Sequence, residues 1–385
     1  MPSSPAAPDV QSLKARALDV IDELAGELTA VSHDIWEHPE LCFEERHAHD
    51  ALCDALEAHG LEPTRHAYGL ETAFEATGGT DGPTVAVICE YDALPGIGHA
   101  CGHNVIAAAG LGAGLAAAAV ADDAGGRVRI LGTPAEEGGG GKVLMAREGA
   151  LDGLVAAMMV HPADHDLRTM DCVAIHRLDV EYHGRAAHAA ASPEQGVNAL
   201  DAAVLGYMAV AALRQHIGPR EKVHGVFTDG GDKPNIVPSH ASMHWYVRAA
   251  NSEDRAALEQ RVLAALESGA TATGASMTHA WHDPPYTDMV ADEWLLQCYA
   301  ENSEAVGRHL DREGATPVMG STDMGNVSYE VPSIHPMIAV APPGVAIHTP
   351  EFAGFARGPE GDAAVLDGAR AMACTVIDTW AAQRQ

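Results

Sequence analysis

Apolar and polar residues along this chain follow first a helical and then a mixed periodicity. The segment from Asp9 to Gly60 has apolar positions at helical spacing and predicts two amphipathic helices, separated at Glu37-His38-Pro39-Glu40. A run of small residues, Val105–Val120, predicts a helix that packs closely against a sheet. Around it, short apolar runs bounded by turn residues predict the buried strands Thr84–Cys89, Arg127–Gly132 and Ala156–His161, and a further helix begins at Val143–Gly149. Strands that alternate with helices favour a mainly parallel sheet.

The middle of the chain has a different pattern. Ala174–His183 alternates between apolar and polar residues, and Pro193–Ile217 and Ser252–Gly269 each predict one helix. Further strands are predicted at Val223–Phe227, Ser242–Arg248 and Ser276–His282. Two helices with about four antiparallel strands make a small α+β sandwich. The first pattern then returns with two predicted elements, the strand Ser333–Val340 and the helix Pro359–Gln383.

A chain of 385 residues is too long for one typical core, so we expect two domains. Residues 1–173 and 286–385 are predicted to form an α/β domain, a mainly parallel sheet flanked by helices. Residues 174–285 are predicted to form an inserted α+β domain with a four-stranded antiparallel sheet and two helices. Because ligands of open α/β sheets bind at the carboxyl ends of the strands, we expect the chemistry at the strand ends of the first domain.

Charge and cysteine content restrict the possible partners and the compartment. The formal net charge of −31 repels nucleic acid and anionic membranes, so we expect neither as a partner. Seven scattered cysteines, an odd number without disulfide-like spacing, indicate a reducing compartment. The N-terminal residues lack the features of a signal peptide, and the longest apolar run is too short to span a membrane. We therefore expect a cytoplasmic protein.

Four segments near predicted strand ends or turns have side chains that commonly bind metal ions. Cys101 and His103 follow a strand and flank Gly102, which lets the backbone bend tightly. The adjacent carboxylates of Glu136 and Glu137 repel each other unless a cation lies nearby. The remaining candidates are His161, at the end of an apolar strand, and His348, in AIHTPEF. Thiol, imidazole and carboxylate are the ligands that zinc-like cations prefer, and a free carboxylate beside them is what metal-assisted hydrolysis requires.

Each candidate alone also has a simple structural explanation. A cysteine in such a turn is commonly a small apolar core residue. Glu136-Glu137 alone could be a solvated acidic turn, His161 a hydrogen-bonded core histidine, and His348 one more of 22 histidines. Together, four such segments at the ends of predicted strands favour a metallohydrolase.

Seven motifs, in order along nearly the whole chain, resemble the dinuclear-metal aminoacylase/carboxypeptidase superfamily. They are GHACGHN, TPAEEGGGGK, VHP, HGRAAHAAASPEQGVNALDA, NIVP, GSTDMGNVS and HTPEF. The resemblance is to its amidohydrolase branch, which includes hippurate hydrolases, auxin-conjugate hydrolases and an aminobenzoyl-glutamate hydrolase component. GHACGHN and GSTDMGNVS are most similar to the aminobenzoyl-glutamate hydrolase and β-alanyl-lysine dipeptidase-like group.

The resemblance implies a role for each of these residues. The ligands of two divalent metal ions would be Cys101, in a bridging position, with His103, Glu137, His161 and His348. Glu136 would be the general base that takes a proton from water and passes it to the leaving amine. Asp92 would orient a ligand imidazole. Cysteine and histidine ligands favour zinc, although manganese, cobalt or nickel also occupy such pairs.

The same resemblance makes the inserted domain a lid and dimerisation domain. His188 would stabilise the tetrahedral oxyanion in the partner subunit of a homodimer. Asn235 and Arg248 would hold the carboxylate of the substrate. Alternatively, Arg248 is a surface arginine of a strand and His188 a histidine at a helix start. The chain departs from the branch at Asn104 and at Glu90, where many relatives carry aspartate.

The sequence thus predicts a homodimeric, metal-dependent amidohydrolase that cleaves a small N-acyl amino acid or a dipeptide-like amide. One alternative within the same class is a broad-specificity aminoacylase. Another, from a different class, is a metal-binding protein that does not hydrolyse amides or that requires a different protein as partner. The presence of Glu136 argues against a catalytically dead protein.

Overall fold

The structure, a computed structural model, describes residues 9–311 and 319–384. The α-helices are α1 (Val10–Glu37), α2 (Arg46–Ala58), α3 (His103–Ala118), α4 (Ala121–Ala124), α5 (Gly141–Arg147), α6 (Ala199–Leu213), α7 (Ser252–Thr273), α8 (Glu293–Ala305), α9 (Met324–Glu330), α10 (Pro350–Ala356) and α11 (Pro359–Ala382). The strands are β1 (Thr64–Arg65), β2 (Phe74–Gly78), β3 (Thr84–Glu90), β4 (Arg127–Thr133), β5 (Leu154–Met158), β6 (His161–Ala163), β7 (Asp171–Cys172), β8 (Ala174–His183), β9 (Lys222–Asp229), β10 (His240–Ala249), β11 (Ser276–Trp281), β12 (Met319–Gly320), β13 (Ser333–Ile334) and β14 (Met337–Ala339). Within these ranges, none of the helices combines the length and the apolar character that a bilayer crossing requires.

The chain divides into two compact units. The first consists of Met1–Asp171 and Met289–Gln385, and the second of Cys172–Asp288. The sequence placed these boundaries at residues 173/174 and 285/286, two and three residues away.

The first unit contains a six-stranded sheet with the order β1-β2-β4-β3-β5-β13. The neighbours β4-β3, β3-β5 and β5-β13 run parallel, whereas β1-β2 and β2-β4 run antiparallel. The predicted mainly parallel α/β sheet is confirmed. Its antiparallel edge strands β1 and β2 were not predicted.

Helix α3 packs against β3 through small residues. A Cβ atom on Gly110 would lie 2.6 Å from the carbonyl oxygen of Ile88 and 2.7 Å from Cys89 Sγ, so the helix can approach the strand this closely only without a side chain there. All seven residues of β3 are buried. The predicted helix of small residues is therefore the central layer that fixes the position of the strand ends.

The second unit is a four-stranded antiparallel sheet with the order β11-β8-β10-β9. Buried and more exposed residues alternate along β10, and Met243, Trp245 and Val247 lie on its buried face. Helices α6 and α7 pack against each other and against β8 and β10. The predicted antiparallel sheet with two helices is confirmed.

Three predicted elements are interrupted in the structure. The predicted helix Pro193–Ile217 is shorter, because α6 begins only after Asn198, whose side-chain oxygen accepts a hydrogen bond from the Asp201 N–H at 3.1 Å. The predicted strands Ala156–His161 and Ser333–Val340 each divide into two short strands, β5 with β6 and β13 with β14. The break between β13 and β14 is the pair His335-Pro336, and proline cannot donate the hydrogen bond that a continuous strand requires. The break between β5 and β6 is Met159-Val160, and His161-Pro162 begins β6.

Candidate metal centre

Four neighbouring parallel strands of the first unit bring polar residues to one edge of the sheet. Glu90 is the last residue of β3, and Glu136 follows the end of β4 by three residues. His161 follows the end of β5, and His335 directly follows β13. Because these strands are parallel, their carboxyl ends lie at the same edge, where α/β proteins bind their ligands.

The turn before α3 places Cys101 beside His161. Gly102, between Cys101 and His103, has a φ of +82°, and a Cβ atom there would lie 2.8 Å from the ring carbons of Pro162. Only glycine fits this position, as the sequence indicated. Cys101 Sγ lies 3.4 Å from His161 Nε2, while the other ring nitrogen of His161 is 2.8 Å from the Pro162 carbonyl oxygen. The Pro162 carbonyl thus holds Nδ1 of His161 in place, and Nε2 is directed to the thiol of Cys101.

Asp92, the carboxylate predicted to orient a ligand imidazole, lies against His103. His103 Nδ1 lies 3.0 Å from Asp92 Oδ1, and the Glu137 N–H donates to Asp92 Oδ2 at 3.0 Å. Burial opposes ionisation of Asp92, but the charge and the hydrogen bond of His103 outweigh it and lower the pKa of Asp92 to about 2. An ionised carboxylate behind an imidazole fixes the ring and its tautomer, a frequent arrangement behind metal-binding histidines.

Glu137 and His348 meet on the more exposed side of the cluster. His348 Nε2 lies 3.3 Å from Glu137 Oε1, and the His103 Nε2 atom is 3.9 Å from the same oxygen. The His348 N–H donates to the Ala100 carbonyl at 2.8 Å, which connects the C-terminal segment to the turn that bears Cys101. Burial raises the pKa of Glu137, but the close contact with His348 and the charge of His103 give a net lowering.

Glu136 is buried beside these groups, with 6% of its surface exposed. Burial, followed by the charges of Glu90 and Glu137, raises its pKa well above the ordinary value for a glutamate. The preceding residue, Ala135, has a φ of +59°, and its N–H donates to the buried carboxylate of Glu45 at 2.9 Å. A carboxyl group with raised proton affinity is suited to general acid–base chemistry.

The five predicted ligands form two overlapping sets of donor atoms. The donor atoms of Cys101, His103 and His161 lie within 4.8 Å of one another, and so do those of Cys101, Glu137 and His348. Within the described part of the chain, the buried atoms His103 Nε2 and Glu137 Oε1 have no hydrogen-bond partner. Because such atoms are costly to bury without a partner, and because thiol, imidazole and carboxylate are metal ligands, this donor set fits divalent metal ions.

The structure also places polar residues in the cluster that the sequence did not single out as functional. Lys142 forms ion pairs with Glu90 and, at 2.7 Å, with Asp323 Oδ1, and its backbone N–H donates to Asp323 Oδ2 at 2.9 Å. Burial disfavours a charged lysine, but Asp323 and Glu90 raise its pKa. His335 is buried beside His161, with 5.2 Å between their ring centroids.

One signal in the sequence could have identified His335. The strand end Val160-His161-Pro162, which was singled out, has a counterpart in Ile334-His335-Pro336. Lys142 and Asp323, 181 residues apart, meet only through the fold, so no local pattern indicates their contact. Asn104, noted as a departure, donates to Ser32 Oγ at 2.9 Å and to the Ala356 carbonyl at 3.0 Å, bonds that an ionised aspartate could not donate.

The other three predicted site residues, His188, Asn235 and Arg248, belong to the second unit. His188 and Asn235 lie in adjacent loops, since the Ala189 N–H donates to the Asn235 carbonyl at 3.1 Å. Both side chains are exposed. Arg248 lies on β10 with its guanidinium 5.9 Å from the centre of the Tyr246 ring, and burial lowers its pKa.

An α/β sheet whose strand ends carry two overlapping sets of metal donors and a buried carboxylate defines a metallohydrolase. The family model described as Peptidase family M20/M25/M40 matches residues 86–377. The chain belongs to this family. It is therefore a metallopeptidase or amidohydrolase, and both the predicted enzyme class and the resemblance to the dinuclear-metal superfamily are confirmed.

Known relatives agree with this assignment. The chain is 38% identical to a mouse (Mus musculus) protein named Xaa-Arg dipeptidase, over 98% of this chain and 91% of the relative. It is 35% identical to a component of the p-aminobenzoyl-glutamate hydrolase of Escherichia coli, over 66% of this chain and 57% of that protein. The fold is similar to that of a Bacillus subtilis protein described as a dinuclear metal-binding peptidase of the M20 family. That match has a TM-score of 0.72 and 22% identity, and covers 93% of this chain and 99% of the other.

Proposed function

We propose that this enzyme hydrolyses the amide bond of an N-acyl amino acid or a dipeptide-like substrate, with Glu136 as the general base. The observation that carries the proposal is the pair of donor sets that share Cys101, with the buried carboxylate of Glu136 next to them in the chain and in the cluster. Two overlapping sets suit two cations, and the neighbouring carboxylate suits proton transfer.

The proposed cofactors are two divalent metal ions, and zinc is the preferred candidate. Cys101 would contribute to both, His103 and His161 to one set, and Glu137 and His348 to the other. Two cations at this position would polarise the substrate carbonyl and lower the pKa of water. Thiolate and imidazole donors favour zinc over harder cations, while manganese, cobalt and nickel are the alternatives. The B. subtilis protein of similar fold is described as a dinuclear metal-binding peptidase, which supports the number of ions.

The residues of the chain would then have two tasks, to transfer protons and to hold the reacting groups in position. Glu136 takes the proton from the attacking water at one carboxylate oxygen and delivers it to the nitrogen of the leaving amine. Asp92 keeps the His103 ring in one orientation through the 3.0 Å contact. Glu45 holds the backbone before Glu136 through the Ala135 N–H, which keeps the base directed into the cluster.

The relatives support a dipeptide-like amide as the substrate. The mouse relative is named for dipeptides that end in arginine, and the E. coli relative for aminobenzoyl-glutamate. The alternative function is that of a broad-specificity aminoacylase, because a B. subtilis relative with 28% identity is named N-acetyl-L-cysteine deacetylase. A panel of Xaa-Arg and β-alanyl dipeptides, aminobenzoyl-glutamate and acetyl-amino acids separates the two. The highest kcat/KM on a dipeptide supports the first, and comparable values on several acetyl-amino acids support the second.

The second unit is proposed to be the lid and the dimer contact. Exposed apolar side chains support this role: Val204, Leu205 and Met208 on α6, and Val226 and Phe227 on β9. The rings of Tyr207 on α6 and Phe227 lie 5.7 Å apart, so the helix and the Phe227 face of the edge strand share one surface, while Val226 lies on the other face of that strand. In such a cytoplasmic homodimer, His188 would stabilise the oxyanion of the partner's site, and Asn235 and Arg248 would bind the substrate carboxylate.

Replacement of the base tests the proposed chemistry. In Glu136→Gln the side chain keeps its shape but cannot accept the proton, so kcat should fall about 10²–10⁴-fold with the metal content unchanged. The measurement is hydrolysis of the best amide by protein that has been chelated and reloaded with zinc, manganese or cobalt, with bound metal quantified. The exposed Glu62→Gln is the matched control. Full activity of Glu136→Gln at equal metal content would exclude this base, and no turnover by metal-loaded wild type would favour the non-hydrolytic or partner-dependent alternative.

A further inference from the structure

His335 occupies a position in the sheet that is equivalent to those of the proposed functional residues. Along the order β4-β3-β5-β13, the carboxyl ends of the first three strands lead to Glu136, Glu90 and His161. His335 directly follows β13, the fourth strand, and the proposed function gives it no part. The neighbouring backbone is fixed, since the His161 N–H donates to the Pro336 carbonyl at 2.9 Å.

The imidazole of His335 makes no hydrogen bond to another residue of the described chain. Only 2% of the residue is exposed, and neither Nδ1 nor Nε2 has a hydrogen-bond partner among the residues that the structure describes. An unsatisfied polar group in the interior is destabilising, so a side chain with only a packing role is better apolar at such a position. Both ring nitrogens therefore keep their hydrogen-bonding capacity, and the ring lies beside that of His161.

Metal binding already has sufficient donors without His335. Each of the two donor sets has three protein atoms, which is the number that catalytic zinc sites typically use while they leave a position open. A neutral imidazole has one N–H that can donate to an oxygen. Lys142 lies nearby, but its ammonium group is already paired with Glu90 and Asp323. The His335 N–H therefore remains an uncommitted donor beside His161.

We propose that His335 is a further catalytic residue, which donates a ring N–H to the substrate carbonyl oxygen as this oxygen becomes the tetrahedral oxyanion. The inference rests on the proposed amide hydrolysis and adds a residue to it. A fixed donor in a site that excludes water stabilises developing negative charge more strongly than the same donor in water. The contact would thus be stronger in the transition state than in the bound substrate.

The test compares His335→Leu and His335→Gln with wild type. His335→Leu should lower kcat/KM about 10²–10³-fold, as removal of an oxyanion donor typically does, and should weaken binding of a phosphinate analogue of the cleaved amide by a similar factor. His335→Gln, which retains an N–H, should recover part of both losses. Metal content should stay at the wild-type value, and the Tm of His335→Leu should equal or exceed that of wild type, because leucine removes an unsatisfied polar group.

His49→Leu is the matched control. His49 is equally buried, but its Nδ1 lies 2.9 Å from Asp50 Oδ1, and the residue has no place in the proposed site. It should show the opposite pattern, a lower Tm with kcat/KM unchanged. Wild-type kcat/KM and phosphinate affinity in metal-loaded His335→Leu would overturn the inference, and the loss of one bound metal would instead make His335 a ligand. A wild-type protein that neither hydrolyses the amide panel nor binds the phosphinate would refute the proposed function itself.

Discussion

Glu45 shows how a single buried carboxylate can link the site to the stability of the fold. It is fully buried and accepts hydrogen bonds from the N–H groups of Phe43 and Ala135 and from the Thr72 hydroxyl. Burial nevertheless raises its pKa from 4.5 to about 7. The folded protein therefore holds this proton more tightly than the unfolded chain does.

The sign of the resulting pH effect follows from linkage. Between about pH 4.5 and 7 the unfolded chain releases the Glu45 proton first, so the free energy of unfolding should fall by up to about 3 kcal/mol as the pH rises. Glu45→Gln keeps the acceptor oxygen and removes the titration. The Tm of Glu45→Gln minus that of wild type, both metal-loaded, should increase from pH 5 to pH 8. The exposed Glu44→Gln should show no such trend, and a pH-independent difference for Glu45→Gln would contradict the prediction.

At the residue scale, the sequence identified the side chains that could bind metal ions better than the buried residues that surround them. Cys101, His103 and Glu137 were recognisable because each lies in a short motif with turn residues beside it. The buried partners that hold the site in place were not, since the contacts of Lys142 with Asp323 join distant segments. Charge pairs of this kind depend on tertiary structure and leave no local spacing to detect.

The contact between α3 and β3 gives an unusual prediction for a helical glycine. Replacement of glycine by alanine within a helix normally stabilises it by about 1 kcal/mol. At Gly110 the added Cβ would meet the Ile88 carbonyl oxygen at 2.6 Å, so Gly110→Ala should instead destabilise the protein by about 1–3 kcal/mol. The comparison is with Gly26→Ala on the exposed side of α1, where nothing lies within 4 Å of the added atom and a gain is expected. Denaturant unfolding measures both, and a stabilised Gly110→Ala would show that α3 can shift away from the strand.

Element boundaries were predicted best where one periodicity continued and worst where a backbone hydrogen bond was lost. The strand Ala174–His183 has the bounds that its alternation predicts. The predicted strands Ala156–His161 and Ser333–Val340 are each continuous, because apolar residues lie on both sides of each interruption. Local hydrophobicity cannot show where such a strand is interrupted. In this sheet two neighbouring parallel strands are interrupted at the same level, and the site residues lie at that level.

At the scale of the whole molecule, the exposed apolar side chains of helix α6 and edge strand β9 contrast with a net charge of −31 per chain. Met208 is 59% exposed and Val226 61% exposed, so association of two copies would bury apolar area against a charge repulsion that salt screens. Met208→Asp with Val226→Asp should produce monomers in light scattering at salt concentrations where wild type is dimeric. Val290→Asp, a similarly exposed apolar position of the first unit, is the control. A wild type that stays monomeric at high salt and high concentration would contradict the homodimer.

The proposed contribution of His188 across the dimer has a consequence that a monomeric enzyme cannot reproduce. If each site uses Glu136 from one copy and His188 from the other, Glu136→Gln and His188→Ala should each be nearly inactive alone. Co-production of the two variants yields mixed dimers in which one site has both native residues, so part of the activity should return. The same mixture in the Met208→Asp, Val226→Asp background should stay inactive, because these chains cannot dimerise. Inactive mixed dimers, isolated with two different affinity tags, would show that His188 acts within its own chain or that it has no catalytic role.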